Sequence, residues 1–323
     1  MRLVIALGGN ALLERGQRPD VDTQVLNVRR AVDAVAPLGH AHELVITHGN
    51  GPQVGLLALE SARDPALTRP YPLDALGAET QGLIGYWLLQ ALENAIPGRE
   101  VASLITQTLV GADDPAFGNP TKFVGPVYAE PDAVRLAGAR GWAIRPDGAA
   151  WRRVVPSPAP IEVVEIPLVR KLLAGGAIVV CGGGGGAPVV RGPDGRLSGV
   201  EAVVDKDLTA AILAGALDAD ALLLLTDVGA VEDGYGTPDA RPISRATPAG
   251  LRDRPFPPGS MGPKVDAACR FVELTGRTAA IGALGDVQAI LDGRAGTIVT
   301  RAGSQRHGRH GPVGRVPDHD ARR

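Results

Sequence analysis

The sequence predicts an α/β protein built on a mainly parallel sheet, covered by helices and interrupted by one inserted segment. Three observations predict it. The apolar runs at residues 3–7 and 221–225 show no alternation of apolar and polar positions, which is the mark of strands buried on both faces. Four strand-like runs each end in a turn rich in Gly, Asn or Asp and are followed by helical patterning: Gly8-Gly9-Asn10, Gly49-Asn50-Gly51, Gly182 to Gly186, and Thr226-Asp227. In an open parallel sheet such turns gather at the carboxyl ends of the strands, where ligands bind. Finally, residues 113–160 are rich in Pro, Gly and charge and are too many for an ordinary connection. They read as a small lid-like subdomain inserted into a domain of residues 1–301, with residues 302–323 left as a disordered basic tail.

Composition narrows the class. A chain of 323 residues that is 45% hydrophobic can bury a full core, and 43 Gly and 27 Pro suit many βα turns. A formal net charge of −2 gives no general affinity for nucleic acid. Cys181 and Cys269 lie far apart in apolar surroundings and read as reduced core residues. The opening apolar run lacks the basic flank and cleavage site of a signal peptide, and no run approaches a membrane span, so a cytoplasmic enzyme without a membrane partner is expected.

In chain order, a strand at residues 2–7 turns sharply at Gly8-Gly9-Asn10. Residues 19–37 place Val21, Val25, Val28, Val32 and Val35 on one helical face. Valine weakens helix propensity, so burial must hold that helix. The strand ELVIT (residues 43–47) ends in His48-Gly49-Asn50-Gly51-Pro52, with Pro52 suited to a first helical turn. His48 reads either as a catalytic group or as a loop-bracing residue, with bracing the favoured role. Asn50 is the better ligand candidate, since an amide both donates and accepts. Residues 73–92 form a long helix in which Gln81, Gly82 and Gly85 allow close approach, and residues 101–110 form a strand. After the insertion, a short helix at 168–173 leads to the strand at 177–181 and the five-glycine loop. A polar hairpin returns to Asp205-Lys206-Asp207 and a helix at 208–217. A proline-rich loop spans 238–258. Helix 261–275 and strands 278–281 and 297–300 complete the domain, with a short helix at 286–291 between those strands.

Bare glycine amides beside an apolar strand bind anions well, so Gly182, Gly183 and Gly184 are candidate phosphate contacts. Lys122, Lys206 and Lys264 lie in loops or at helix starts, and distributed positive charge is what a transferring phosphoryl group needs. Walker, protein-kinase and nucleophile-elbow motifs are absent. A reaction with no evident general base suits an acceptor that is already an anion, such as a carboxylate or carbamate.

These residues resemble the carbamate kinases of the amino acid kinase superfamily. The resemblance is carried by ALGGNAL (6–12), ITHGNGPQVG (46–55), TQGLIGYWL (80–88), NPTK (119–122), WRRVVPSPAP (151–160), the glycine loop after Cys181, GVEAVVDKD (199–207) and PGSMGPK (258–264). It implies an open three-layer αβα sandwich whose first half binds carbamate and whose second half, about 165–301, binds the nucleotide. Gly8, Gly9, Asn10, Gly49, Asn50 and Gly51 would then hold carbamate and the moving phosphoryl group. Lys206, Thr226, Asp227, Val231, Met261 and Lys264 would face the nucleotide, Asp207 would orient the lysines, and Lys122 would close over the acid site. The resemblance further implies Mg²⁺ with ATP or ADP, either held directly by a protein carboxylate or simply arriving on the nucleotide, with no metal-ligand residues named, together with a homodimer and ATP formation during arginine breakdown. The chain departs from the pattern at Gly236-Thr237-Pro238, where a lysine commonly precedes the proline, and at Arg153, where lysine is frequent. The alternatives are a kinase of another small carboxylate and a catalytically weakened sensor of nucleotide or carbamoyl phosphate.

Overall fold

A computed structural model describes residues 1–14, 16–256 and 261–302. The expected tail, with its histidines, falls almost wholly outside the described residues, as do Gly259 and Ser260. The first half contains β1 (Arg2–Leu7), α1 (Val21–Gly39), β2 (Glu43–His48), α2 (Gly51–Ser61), α3 (Leu73–Ala95), β3 (Val101–Ser103) and β4 (Gln107–Val110). The inserted stretch carries β5 (Lys122–Tyr128), α4 (Glu130–Arg140), β6 (Ala143–Asp147) and β7 (Ala150–Val155). Then come β8 (Pro160–Val163), α5 (Ile166–Ala174), β9 (Ile178–Val180), β10 (Ala187–Arg191), β11 (Leu197–Gly199), α6 (Lys206–Ala216) and β12 (Ala221–Thr226). The chain continues through β13 (Val231–Asp233), β14 (Arg241–Ile243), β15 (Arg245–Ala246), α7 (Pro248–Arg252), α8 (Met261–Thr275), β16 (Thr278–Ala283), α9 (Val287–Leu291) and β17 (Thr297–Val299).

The main sheet has the order β15-β17-β16-β12-β1-β2-β9-β3. From β16 to β3 every pairing is parallel, and β17 alone turns antiparallel against β16. The expected α/β class with a mainly parallel sheet is therefore the observed one. Alternate residues of β1 explain the unbroken apolar run. Leu3, Ile5 and Leu7 join a core with α1, α3 and α9, while Val4 and Ala6 join a second core with α5, α6 and α8.

Four local expectations are corrected. Residues 101–110 are two strands in different sheets: β3 pairs with β9, whereas β4 pairs with β10 and β8. On α1 the face holds for Val28, Val32 and Val35, but Val21 begins the helix and is exposed. A Cβ on Gly85 would collide with Ser103, whereas one on Gly82 would meet open space, so only the former is a close approach. The proline-rich stretch holds β14, β15 and α7; its strands are too short to show a period.

In the inserted stretch β5, β7 and β6 form an antiparallel sheet with α4 packed on it. It rests on α2 and α3 through a third, small core of Val54, Ala58, Leu73, Leu76, Val124 and Val155. Gly55 of α2 lies so close to Gly125 of β5 that an added Cβ would sit 2.8 Å from the Gly125 Cα. Trp142 is held between the guanidinium groups of Arg140 and Arg153, at 4.8 and 4.9 Å from its ring centroid.

Candidate active site

The strand order places the ends of β12, β1, β2 and β9 side by side, so their four turns form one continuous rim. Gly8 donates its N–H to Leu225 O at 2.9 Å, and Gly49 donates to Leu7 O at 3.1 Å, which extends the ladder into the turns. Gly49 needs its missing side chain: a Cβ would stand 2.9 Å from the Gly9 nitrogen and 3.5 Å from Lys206 Cε. The Gly9 turn, Gly49 and Lys206 are thus immediate neighbours. Asn10 lies in the single 3₁₀ turn Gly9–Ala11, and Gly51 opens α2 at an exposed position.

The first turn of α6 gathers the lysines. Asp207 accepts from Lys206 Nζ at 2.5 Å on one oxygen and from Lys264 Nζ at 3.2 Å on the other. Lys264 reaches it from α8, which packs against α6. Burial works against a charged Asp207, but the two ammonium groups outweigh it and hold the carboxyl well below the ordinary carboxylate range. Lys206 is itself lowered from the usual lysine value, chiefly by burial, with Asp207 opposing. Asp205 uses one oxygen to cap α6 at the Asp207 N–H, 2.9 Å away, and the other to accept from Lys122 Nζ at 2.5 Å. The flanking aspartates of Asp205-Lys206-Asp207 therefore do not share Lys206. One takes Lys264 as well, and the other takes the lysine of the insertion.

The glycine loop is buried and braced from several sides. Gly182 to Gly186 are all buried. Gly182 spends its N–H on Thr106 Oγ1 at 2.9 Å and its carbonyl on Thr47 Oγ1 at 2.7 Å. The Gly185 carbonyl accepts from Thr108 at 2.7 Å and Thr209 at 3.0 Å. A Cβ on Gly183 would strike the His48 ring, and one on Gly184, at φ +64°, would strike the Asn50 amide. Gly182, Gly183 and Gly184, expected to contact phosphate, thus form a buried floor on which His48 and Asn50 lie. Asn50 Nδ2 donates to Thr80 Oγ1 at 2.8 Å, which fixes the amide from α3. His48 Nδ1 lies 3.0 Å from Gly49 O, and burial lowers its pKa from 6.5 to about 4. It is neutral at pH 7, so Nδ1 carries the proton and braces the Gly49 carbonyl.

The expected nucleotide set divides. Lys206, Lys264 and the partly buried Met261 belong to the α6–α8 side. Thr226 and Asp227 line a cavity of about 480 Å³ bounded by Ala11, Glu14, Asn27 and Arg30 on the α1 side. Val231 does not join either group, being fully buried with its N–H given to Thr297 Oγ1 at 2.8 Å. Gly236-Thr237-Pro238 forms the exposed tip between β13 and β14, where Thr237 Oγ1 donates to Gly234 O at 2.7 Å. Sequence reasoning missed Asp205 as a partner of Lys122, and it missed the bracing threonines. Gln81, marked for close approach, instead clamps Thr106, accepting from its N–H at 3.0 Å and donating to its carbonyl at 3.1 Å. The symmetry of the two aspartates was the available signal for Asp205; the threonines carried none.

The amino acid kinase family model matches residues 1–282, across this rim and the lysine cluster. The chain belongs to the amino acid kinase family. It is 51% identical over 304 residues to a carbamate kinase of Rhizobium meliloti, covering 93% of each chain. It is 50% identical to a carbamate kinase of Haemophilus influenzae, covering 93% of this chain and 97% of that one. Among solved structures, the carbamate kinase from Giardia lamblia bound to AMP-PNP superposes with a TM-score of 0.85 at 39% identity, over 93% of this chain and 98% of that one. Within this family fold, the described residues contain no helix long and apolar enough to cross a membrane.

Proposed function

We propose that the protein is a carbamate kinase, moving a phosphoryl group reversibly between ATP plus carbamate and ADP plus carbamoyl phosphate. The observation that carries this reading is one buried carboxylate, that of Asp207, holding both Lys206 and Lys264 beside the Gly9 and Gly49 turns. Two fixed ammonium groups can follow negative charge as it moves from the acyl oxygen to the nucleotide. Their partial burial makes each worth more than it would be in water. Carbamate attacks through an oxygen that is already anionic, so no group need remove a proton, and the neutral, braced His48 suits a supporting role. Gly8, Gly9, Asn10, Gly49, Asn50 and Gly51 would surround carbamate and the transferring group; Thr226, Asp227, Met261 and Lys264 would face the nucleotide.

Among the described residues no group of three or more His, Cys, Asp or Glu is placed to hold a metal ion. Asp205 and Asp207 are both engaged by lysines. This arrangement suits Mg²⁺ entering on the nucleotide phosphates, where it would shield charge between them. We further infer a homodimer. Leu83 and Tyr86, three residues apart on α3, are both exposed and supply apolar surface for it.

The test is ATP formation from ADP and carbamoyl phosphate with Mg²⁺, beside Lys206→Ala, Lys264→Ala and a panel of other acyl phosphates. We expect carbamoyl-specific turnover, with kcat about 10²–10³-fold lower in each variant and a lowered melting temperature, the fold being retained by circular dichroism. Equal rates with acetyl phosphate would refute the substrate assignment. Near-normal turnover in either variant would refute the site.

A further inference from the structure

We propose that Asp205 is a positioning residue that latches the inserted subdomain, and with it the third ammonium group, onto the first turn of α6. Its two oxygens do different work. Oδ1 caps the helix, a task that Asn, Ser or Thr performs nearly as well. Only Oδ2, which takes Lys122, needs a full negative charge. Lys122 begins β5 and sits opposite Val155, one residue before Pro156. The Pro156 carbonyl in turn accepts from the Val203 N–H at 3.0 Å, two residues ahead of Asp205. Nearby, Arg153 of β7 meets Glu201 at 3.2 Å, and Glu201 also accepts from the Leu73 N–H at 2.8 Å at the start of α3. The segment from Glu201 to Asp205 is thus a seam to which the insertion is fastened, and the Asp205 pair is the fastening that reaches the lysine cluster. Lys122, Lys206 and Lys264 are shared between Asp205 and Asp207, leaving one positive charge in excess to meet a phosphoryl group. Docking the insertion and completing that charge array are then one event.

This inference rests on the phosphoryl-transfer reading of Lys206 and Lys264, and its test is a double-mutant cycle with a second readout that needs no activity. The variants are Asp205→Asn, which keeps a capping side chain, Lys122→Ala, and the pair. We expect kcat/KM for carbamoyl phosphate to fall about tenfold or more in each single variant, with KM for ADP within about twofold, and the pair to be no worse than Lys122→Ala alone. Losses that multiply in the pair would overturn the proposal, because Asp205 would then act independently of Lys122. Hydrogen exchange at the Val203 amide should quicken equally in both single variants while the melting temperature holds. Unchanged exchange would overturn the latch. A wild type that makes no ATP would sink the carbamate kinase reading, and the exchange measurement would still decide the latch.

Discussion

His48 should make the protein selectively sensitive to mild acid. In the folded chain its pKa is about 4, against 6.5 when exposed, because burial disfavours the imidazolium and nearby Lys206 adds to this. The unfolded chain therefore binds more protons between those two values, and stability falls as pH drops through that window. With these two pKa values the cost is about 2 kcal/mol between pH 7 and pH 5, and about 3 kcal/mol once the pH is below 4. Most carboxylates titrate below pH 5, so the upper part of the window isolates histidine. The perturbation is His48→Gln, which keeps an amide donor for the Gly49 carbonyl and removes the titration. Urea unfolding of both proteins at pH 7, 6 and 5 gives the assay. The stability difference between wild type and variant should shift by about 2 kcal/mol in favour of the variant as the pH falls from 7 to 5. A difference that stays constant within about 0.5 kcal/mol would refute the argument, and would mean that His48 is protonated or hydrated in the folded state.

Two further outcomes follow from contacts already described. Asp207→Asn leaves two mostly buried ammonium groups without their shared carboxylate and should cost about 3–5 kcal/mol at neutral pH in chemical denaturation. Because the folded Asp207 is held below the ordinary carboxylate range, its contribution is present above that range. The gap to wild type should therefore close as the pH falls through the range toward the folded value. Gly55→Ala forces a methyl group onto the Gly125 backbone, and neither side has a side chain that can yield. It should destabilise by about 1–3 kcal/mol and loosen the insertion, seen as faster proteolysis within residues 121–155.

The sheet was legible because its central strands are apolar on both faces, a pattern no surface strand shows. The lysine cluster was legible because Lys206 and Lys264 sit at helix starts rather than on helix flanks, and because the family motifs mark them. What stayed hidden is pairing across distance. A run of glycines announces conformational freedom, but not that Thr47, the neighbouring Thr106 and Thr108, and Thr209 would arrive from three separate segments to occupy the loop's carbonyls and amide. Likewise the paired aspartates around Lys206 hint at a second partner for Asp205, but not that Lys122, inside the insertion, would be it. The stretch from 101 to 110 looked continuous because it holds no Gly or Pro to mark a break, yet residues 104–106 leave the strand and the two halves pair in different sheets. Val231, expected on the nucleotide side, is fully buried, a property that its place after the Thr226-Asp227 turn did not reveal.

The division of β1 between two cores has a consequence for how this chain tolerates change. Leu3, Ile5 and Leu7 answer to one layer of helices, and Val4 and Ala6 to the other, while the next residues, Gly8 and Gly9, enter the site. A substitution that suits one layer by shifting the strand must disturb the opposite layer and carry the glycine turn with it. Drift in the two layers is therefore coupled at this strand, and repacking one of them alone has few solutions. The insertion is tied less widely. Only Val124 and Val155 of its strands enter the core that it shares with α2 and α3, so its positions away from these, Gly125 and Lys122 are where sequence variation compatible with the same chemistry should accumulate.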